Sequence, residues 1–166
     1  MLQIGDLTIY QEHGICRVDD IQEMTFGGKT RTYYILHPID NHEKLTLNVP
    51  VDNVHNILHE LIDQNKAKKI LETFRTEGTE WIEKPQQRTR RYEAIINSGD
   101  RIEIAKVAST LIRKKWEIEK DGRKFFENDQ KLLTNIQNIL FKEISIVLDT
   151  TVEDVTEKVI DILKAS

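Results

Sequence analysis

His55 and His59 stand four residues apart, the spacing at which two imidazoles on one helix face could share a zinc ion. A metalloprotease helix of that kind also needs glutamate directly after the first histidine. Asn56 occupies that place and no third ligand is evident among the five histidines, so no metal site is expected. Cys16 is the single cysteine. It lies in a strand-like stretch without an evident base and reads as a small packed side chain. It leaves no partner for a disulfide within the chain and no cluster for zinc. Gly27-Gly28 precedes no helix and cannot cradle a phosphate at a helix start. No constellation of catalytic residues emerges, so neither an enzyme nor a cofactor is expected.

The remaining chemistry is electrostatic. Residues 84–124 hold twelve Lys/Arg against six Asp/Glu, a local charge of +6 in a chain whose net charge is −4. A split of this size points to one face that meets a polyanion. A solvated helical surface is the plain alternative. The segment centres on Arg88-Thr-Arg-Arg-Tyr92 and the helix expected from Asp100 to about Lys120.

Two kinds of periodicity must position these residues. Residues 1–50 alternate apolar and polar, as half-buried strands do. Leu7–Tyr10, Gly14–Val18, Arg31–Leu36 and Lys44–Val49 read as strands, and Phe26-Gly-Gly-Lys29 as a hairpin turn. Pro50 ends the last strand, since it cannot donate to a ladder. Four or five short antiparallel strands imply a small SH3- or Tudor-like barrel. After Pro50 the period becomes helical. Val54, Ile57, Leu58, Leu61 and Ile62 form one stripe, and Ala67–Phe74 a second short helix. Trp81 and Ile82 lie in a polar loop. Pro85 opens a helix with Tyr92, Ile95 and Ile96 inward, and Gly99 and Asp100 stop it and start the next. That next helix buries Ile104, Ala105, Ala108, Leu111, Ile112 and Trp116, with Lys106 and Arg113 on its wet face. A long helix follows from Phe126 to Leu148, packed on its neighbours rather than on a zipper partner despite heptad-spaced Leu133, Leu140 and Val147. Thr151-Val-Glu-Asp154 caps a last helix.

The expected fold is therefore α+β: a Tudor-like antiparallel barrel over 1–50 followed by an all-α helical bundle over 51–166. The chain's 166 residues, with 39% hydrophobic and 31% charged, suit small cores under a charged surface. The first six residues lack the basic start and apolar run of a signal peptide, and no apolar stretch nears the ~20 residues of a membrane span. A cytoplasmic monomer without a membrane partner is expected.

Three motifs in order carry a resemblance. Ile4-Gly-Asp6 with Tyr10-Gln-Glu-His-Gly14, then Leu45-Thr-Leu-Asn-Val-Pro50, then Arg90-Arg-Tyr92 with Ser98-Gly-Asp100, together resemble bacterial CarD/CdnL-type transcription regulators. The resemblance implies that the N-terminal domain docks on the RNA polymerase β subunit, through the edge strand Lys44, Leu45, Thr46, Leu47, Asn48 and Val49. It implies that the helical domain contacts promoter DNA at the upstream edge of the bubble and stabilises the open complex. It would hold the protein at the nucleoid through polymerase. Arg90, Arg91, Arg113 and Lys114, with Lys106, would meet phosphates with little regard to sequence.

The chain departs from that family at informative places. Many members carry a tryptophan wedge where Arg88 stands here, and arginines where Met24 and Asn48 stand. Trp81 is expected to cap the helical core, leaving Arg88 nearest the bubble edge; the reverse assignment, with Trp81 as wedge, is the alternative. A protein–protein adaptor without DNA contact is the competing reading, with Arg113-Lys-Lys115 facing an acidic partner.

Overall fold

Alternation becomes strand and 3.6-periodicity becomes helix in most of the chain. The computed structural model describes residues 1–10, 13–40 and 44–166. Gln11, Glu12 and His42 therefore lie outside the described residues. Two units emerge, Met1–Leu61 and Ile62–Ser166.

In the first unit β1 (Leu7–Tyr10), β2 (Gly14–Phe26), β3 (Lys29–Pro38), β4 (Leu47–Pro50) and β5 (Leu58–His59) form one antiparallel sheet in the order β4-β3-β2-β1-β5. Gly27 and Gly28 both take positive φ, +57° and +81°, as a two-residue hairpin turn between Phe26 and Lys29 requires. The pairing of β2 with β3 slips between Val18 and Asp20. Such a bulge bends a strand and strengthens its twist. Cys16, Val18, Tyr34, Leu36, Val49 and Leu58 form the core.

Three expectations for this unit change. The sheet is open rather than a closed barrel, with β4 and β5 as its edges. The last long strand starts at Leu47, not Lys44: Lys44 has φ +54°, which breaks extended backbone, and Leu45 and Thr46 precede the ladder. The stripe at Val54, Ile57 and Leu58 is no α-helix. Val51–Asn56 is a 3-10 segment and Leu58 turns back as β5, antiparallel to β1. Apolar residues at i, i+3 and i+4 fit one tight turn as well as a short helix. Leu58 is claimed by the β core, so the first unit extends to Leu61 instead of ending at Pro50.

The second unit is helical: α1 (Gln64–Thr73), α2 (Pro85–Ser98), α3 (Arg101–Lys120), α4 (Glu127–Ile136), α5 (Lys142–Val147) and α6 (Val152–Ala165). Caps fall where the side chains predict them. Asp63 accepts from the Lys66 N–H, Asp100 from Glu103 and Thr151 from Asp154. Gly99 ends α2 at φ +76°. The helix expected from Phe126 to Leu148 is interrupted by a π turn at Gln137–Phe141. There Leu140 and its neighbour Phe141 are both buried, Phe141 edge-on to Phe74 at 6.1 Å. Leu133 and Leu140 serve this unit's own core.

α3 packs against α1, α2, α4 and the π turn. Its burial is wider than expected. Val107, Ser109 and Ile118 join the predicted inward residues, whereas Trp116 is only half-buried. No residue of α3 before Glu117 is fully exposed. Lys106 and Arg113 thus occupy a narrow strip rather than a broad wet face.

Candidate nucleic-acid interface

Trp81 is presented by a loop tied closely to α3 and α2. The loop between α1 and α2 lies against α3 at Gly78, where an added Cβ would stand 2.3 Å from Thr110 Oγ1 and 3.0 Å from the Lys106 carbonyl oxygen. Thr79 then donates its N–H to the Lys106 carbonyl at 3.3 Å, and Thr110 Oγ1 donates to the Thr79 carbonyl at 2.7 Å. The Tyr92 hydroxyl donates to the Glu80 carbonyl at 2.7 Å. Burial pushes the Tyr92 phenol up to about 12, against a smaller lowering by Arg88, so it remains a donor at neutral pH. Alanine at Gly78 is expected to lift the loop and cost about 1–3 kcal/mol, as overpacking does. A thermal melt of the full chain checks this; an unchanged midpoint would show that the loop yields freely.

Arg88 completes the clamp from inside. It lies in the buried stripe Arg88, Tyr92, Ile96 and is 2% exposed. Its Nε and Nη2 donate to the two oxygens of Asp129, at 2.9 and 2.7 Å, and its Nη1 donates to the carbonyls of Ile82 at 2.8 Å and Glu83 at 3.3 Å. Its guanidinium carbon stands 4.0 Å from the centroid of Trp81 and 5.3 Å from that of Phe126. A guanidinium forked on one carboxylate and stacked on a ring is a strong, directional arrangement. The expectation that Arg88 is the exposed cation nearest DNA is corrected by this geometry: its polar edge is engaged inside the unit. Trp81 packs partly against the helical core, as a capping ring should, yet keeps an accessible portion.

The other cations separate into two sets. Lys114 lies 5.2 Å from the Trp81 centroid and pairs with Glu117 at 3.5 Å. Arg113 and Lys114 line, with Trp81, an open hollow of about 470 Å³ beside Thr79 and Thr110. Lys106, two turns earlier, pairs with Glu103 at 3.3 Å. Arg90 and Arg91 are exposed on α2; Arg90 is two residues from Tyr92 and so faces roughly 200° away from it. Among the described residues Arg90, Arg91 and Arg113 form no ion pair. Arg101 holds the buried carboxylate of Glu143 at 3.1 and 3.2 Å, where Glu143 also accepts the Ile62 N–H at 3.0 Å. Lys115 donates to Gln130 at 2.8 Å. The structure thus brings Trp81, Arg113 and Lys114 together around one hollow, which Lys106, Arg90 and Arg91 do not line.

Asp129 and Phe126 were missed as site residues. The missed signal was Arg88 itself, which shares i, i+4, i+8 spacing with Tyr92 and Ile96 and so had to be buried. Asp129, in the first turn of α4, suits the positive end of a helix, but nothing local names its partner 41 residues away.

The chemical alternatives take definite places. His59 is on β5 and His55 on the preceding 3-10 segment, so the two share no helix. Among the described residues no group of three His, Cys, Asp or Glu could hold a metal. Cys16 is buried, which raises its thiol to about 11, with a smaller lowering from the Tyr10 backbone. Thr46 lies just before β4, with its hydroxyl 3.1 Å from His37 Nε2; His37 Nδ1 binds Asp19. The Arg17 guanidinium, hydrogen-bonded at 2.7 Å, holds the Asp19 carboxyl below its usual range, assisted by His37. Asn48 and Thr46 are exposed, Leu45 and Leu47 half-buried and Val49 buried, as the alternation demands. Among the described residues no helix is long and apolar enough to cross a membrane.

Comparison with known proteins follows the division into two units. Residues 2–62 match the CarD-like/TRCF RID domain, a domain of the RNA polymerase-interacting kind, and residues 69–161 match the CarD C-terminal domain. The chain is also similar to YdeB, a candidate transcription factor of Bacillus subtilis (strain 168), with 25% identity over 153 residues that cover 91% of this chain and 95% of that protein. The two domain matches fall in the family's order and the C-terminal one alone spans more than half of the sequence: the chain belongs to the CarD family, whose role is in transcription.

Proposed function

We propose that this protein is a non-catalytic transcription regulator that docks on the RNA polymerase β subunit through β4 and contacts promoter DNA through the helical unit, stabilising the open complex. One observation carries the DNA part. A tryptophan held by carbonyl clamps and an internal guanidinium keeps an accessible portion beside Lys114 and beside Arg113, which has no ion-pair partner among the described residues. A pinned ring beside cations can lean on an opened base step while the cations neutralise phosphates. Trp81 takes the bubble-edge role in place of the buried Arg88, and the exposed Arg90 and Arg91 add phosphate contacts. The edge position of β4 supports the polymerase part, because a free strand edge can extend a partner's sheet.

Phosphate contacts carry no sequence information, so Arg113→Glu is expected to weaken binding similarly on unrelated promoters. The slope of log affinity against log salt should fall by about one or more contacts' worth. Footprinting on two promoters, beside a polymerase pull-down, measures this. Loss on one promoter alone would indicate base readout. Retained polymerase binding with no footprint on any DNA would instead make the protein an adaptor.

A further inference from the structure

We propose that Glu143 fixes the connector between the two units at two residues, and that this shortness lets one chain hold polymerase and promoter DNA together. The inference rests on the two contacts proposed above and makes Glu143 a positioning residue for their joint action.

Two anchors bound the connector, each internal to its own unit. On the first side His59, the last residue of β5, pairs with Ile9. Its carbonyl accepts from the Thr8 hydroxyl at 3.1 Å, and Thr8 is itself buried. Leu58, just before it, belongs to the β core. On the second side Ile62 packs against the helical core and donates its N–H to Glu143 Oε2 at 3.0 Å. Asp63 then caps α1, and Gln64 Nε2 donates to the Val147 carbonyl at 3.4 Å. Between the two anchors stand Glu60 and Leu61. The three Cα steps from His59 to Ile62 span at most roughly 11 Å.

The carboxylate is explained by what it holds. Glu143 is 1% exposed, and Arg101 donates to it from Nε at 3.2 Å and Nη2 at 3.1 Å. An apolar side chain at this buried place would avoid the cost of removing a carboxylate from water. It would leave the Ile62 N–H, 81 residues earlier in the chain, without its acceptor. Once the first unit is docked, the DNA contact becomes intramolecular. Its effective concentration falls as roughly the −3/2 power of connector length once the span is matched. Lengthening the connector from two residues to six should therefore lower it about fivefold.

The test inserts Gly-Ser-Gly-Ser between Glu60 and Leu61 of the full chain. Open-complex lifetime at saturating protein, polymerase pull-down and duplex affinity are measured side by side. The lifetime gained over polymerase alone is expected to fall about fivefold, with both separate bindings unchanged. Glu143→Gln turns an amino group toward the donors. It should speed hydrogen exchange of the Ile62 amide roughly tenfold, what losing a hydrogen bond to a charged group amounts to, and shorten the lifetime in the same direction. A melt of each variant checks folding, and the insertion decides alone if Glu143→Gln does not fold. An unchanged lifetime after insertion overturns the proposal, as does an Ile62 amide indifferent to Glu143→Gln. Pull-down or duplex affinity lost together with the lifetime makes the effect one of folding and overturns it too. Failure of the unaltered chain to bind polymerase or duplex removes the wider reading itself, which the separate bindings reveal before any insertion is made.

Discussion

Asparagine at Asp129 is expected to destabilise the helical unit by about 3–5 kcal/mol, the cost of removing one partner from a buried ion pair. The reason is the position of Arg88. Its side chain is 3% exposed and that of Asp129 1%, so solvent cannot replace the lost carboxylate. Asparagine keeps the shape and one acceptor but leaves a guanidinium charge without its counter-charge. The effect should reach Trp81, because the same guanidinium stacks on its ring and holds the carbonyls of Ile82 and Glu83. Chemical denaturation of the full chain, followed by tryptophan fluorescence, measures both. Trp81 and Trp116, the two tryptophans of the chain, both lie in the helical unit. Replacing the pair together, Arg88→Met with Asp129→Leu, should recover part of the loss, since two apolar groups leave no buried charge. Recovery should stop short of complete, because two carbonyls lose their donor. A loss below about 1 kcal/mol for Asp129→Asn would mean that water reaches Arg88, as it does in surface pairs.

Proline in β4 is expected to abolish polymerase binding at one position and disturb the sheet at the next. β4 has four residues, paired from Leu47 opposite Leu36 to Pro50 opposite Tyr33. Along an edge strand successive N–H groups alternate between the neighbour and the open side. Of Leu47→Pro and Asn48→Pro, one removes a donor from the ladder with β3 and the other a donor from the free edge. The second kind should keep the melting temperature of the first unit and lose co-purification with polymerase. Thr46, which precedes the ladder and is tied to His37, is the less direct position for this test. If both proline variants fold and still co-purify with polymerase, docking does not run through β4.

The sequence by itself determined what depends on neighbours along the chain. Strand alternation, the Gly27-Gly28 turn, the Gly99 stop and the caps at Asp100 and Thr151 are local chemistry, satisfied within a few residues. The motifs at the chain's start, at Val49-Pro50 and at Arg90–Asp100 carried the family, and the charge imbalance drew attention to α2 and α3. Tertiary structure decided the rest. Val54 and Leu58 fit a helical stripe until β1 offers Leu58 a strand partner. Strand count cannot say whether a sheet closes; that depends on which edges pair, and β4 and β5 do not. The α4–α5 helix looks continuous until neighbouring Leu140 and Phe141 must both be buried. Arg88 shows the difference most clearly. Its type and company suggested a cation facing DNA, while its spacing with Tyr92 and Ile96 pointed inward. A buried guanidinium is tolerable only with a carboxylate in reach, and the one it uses, Asp129, is brought there by the packing of α2 on α4. What stands against the Trp81 ring was settled by that contact, between residues 41 apart in sequence.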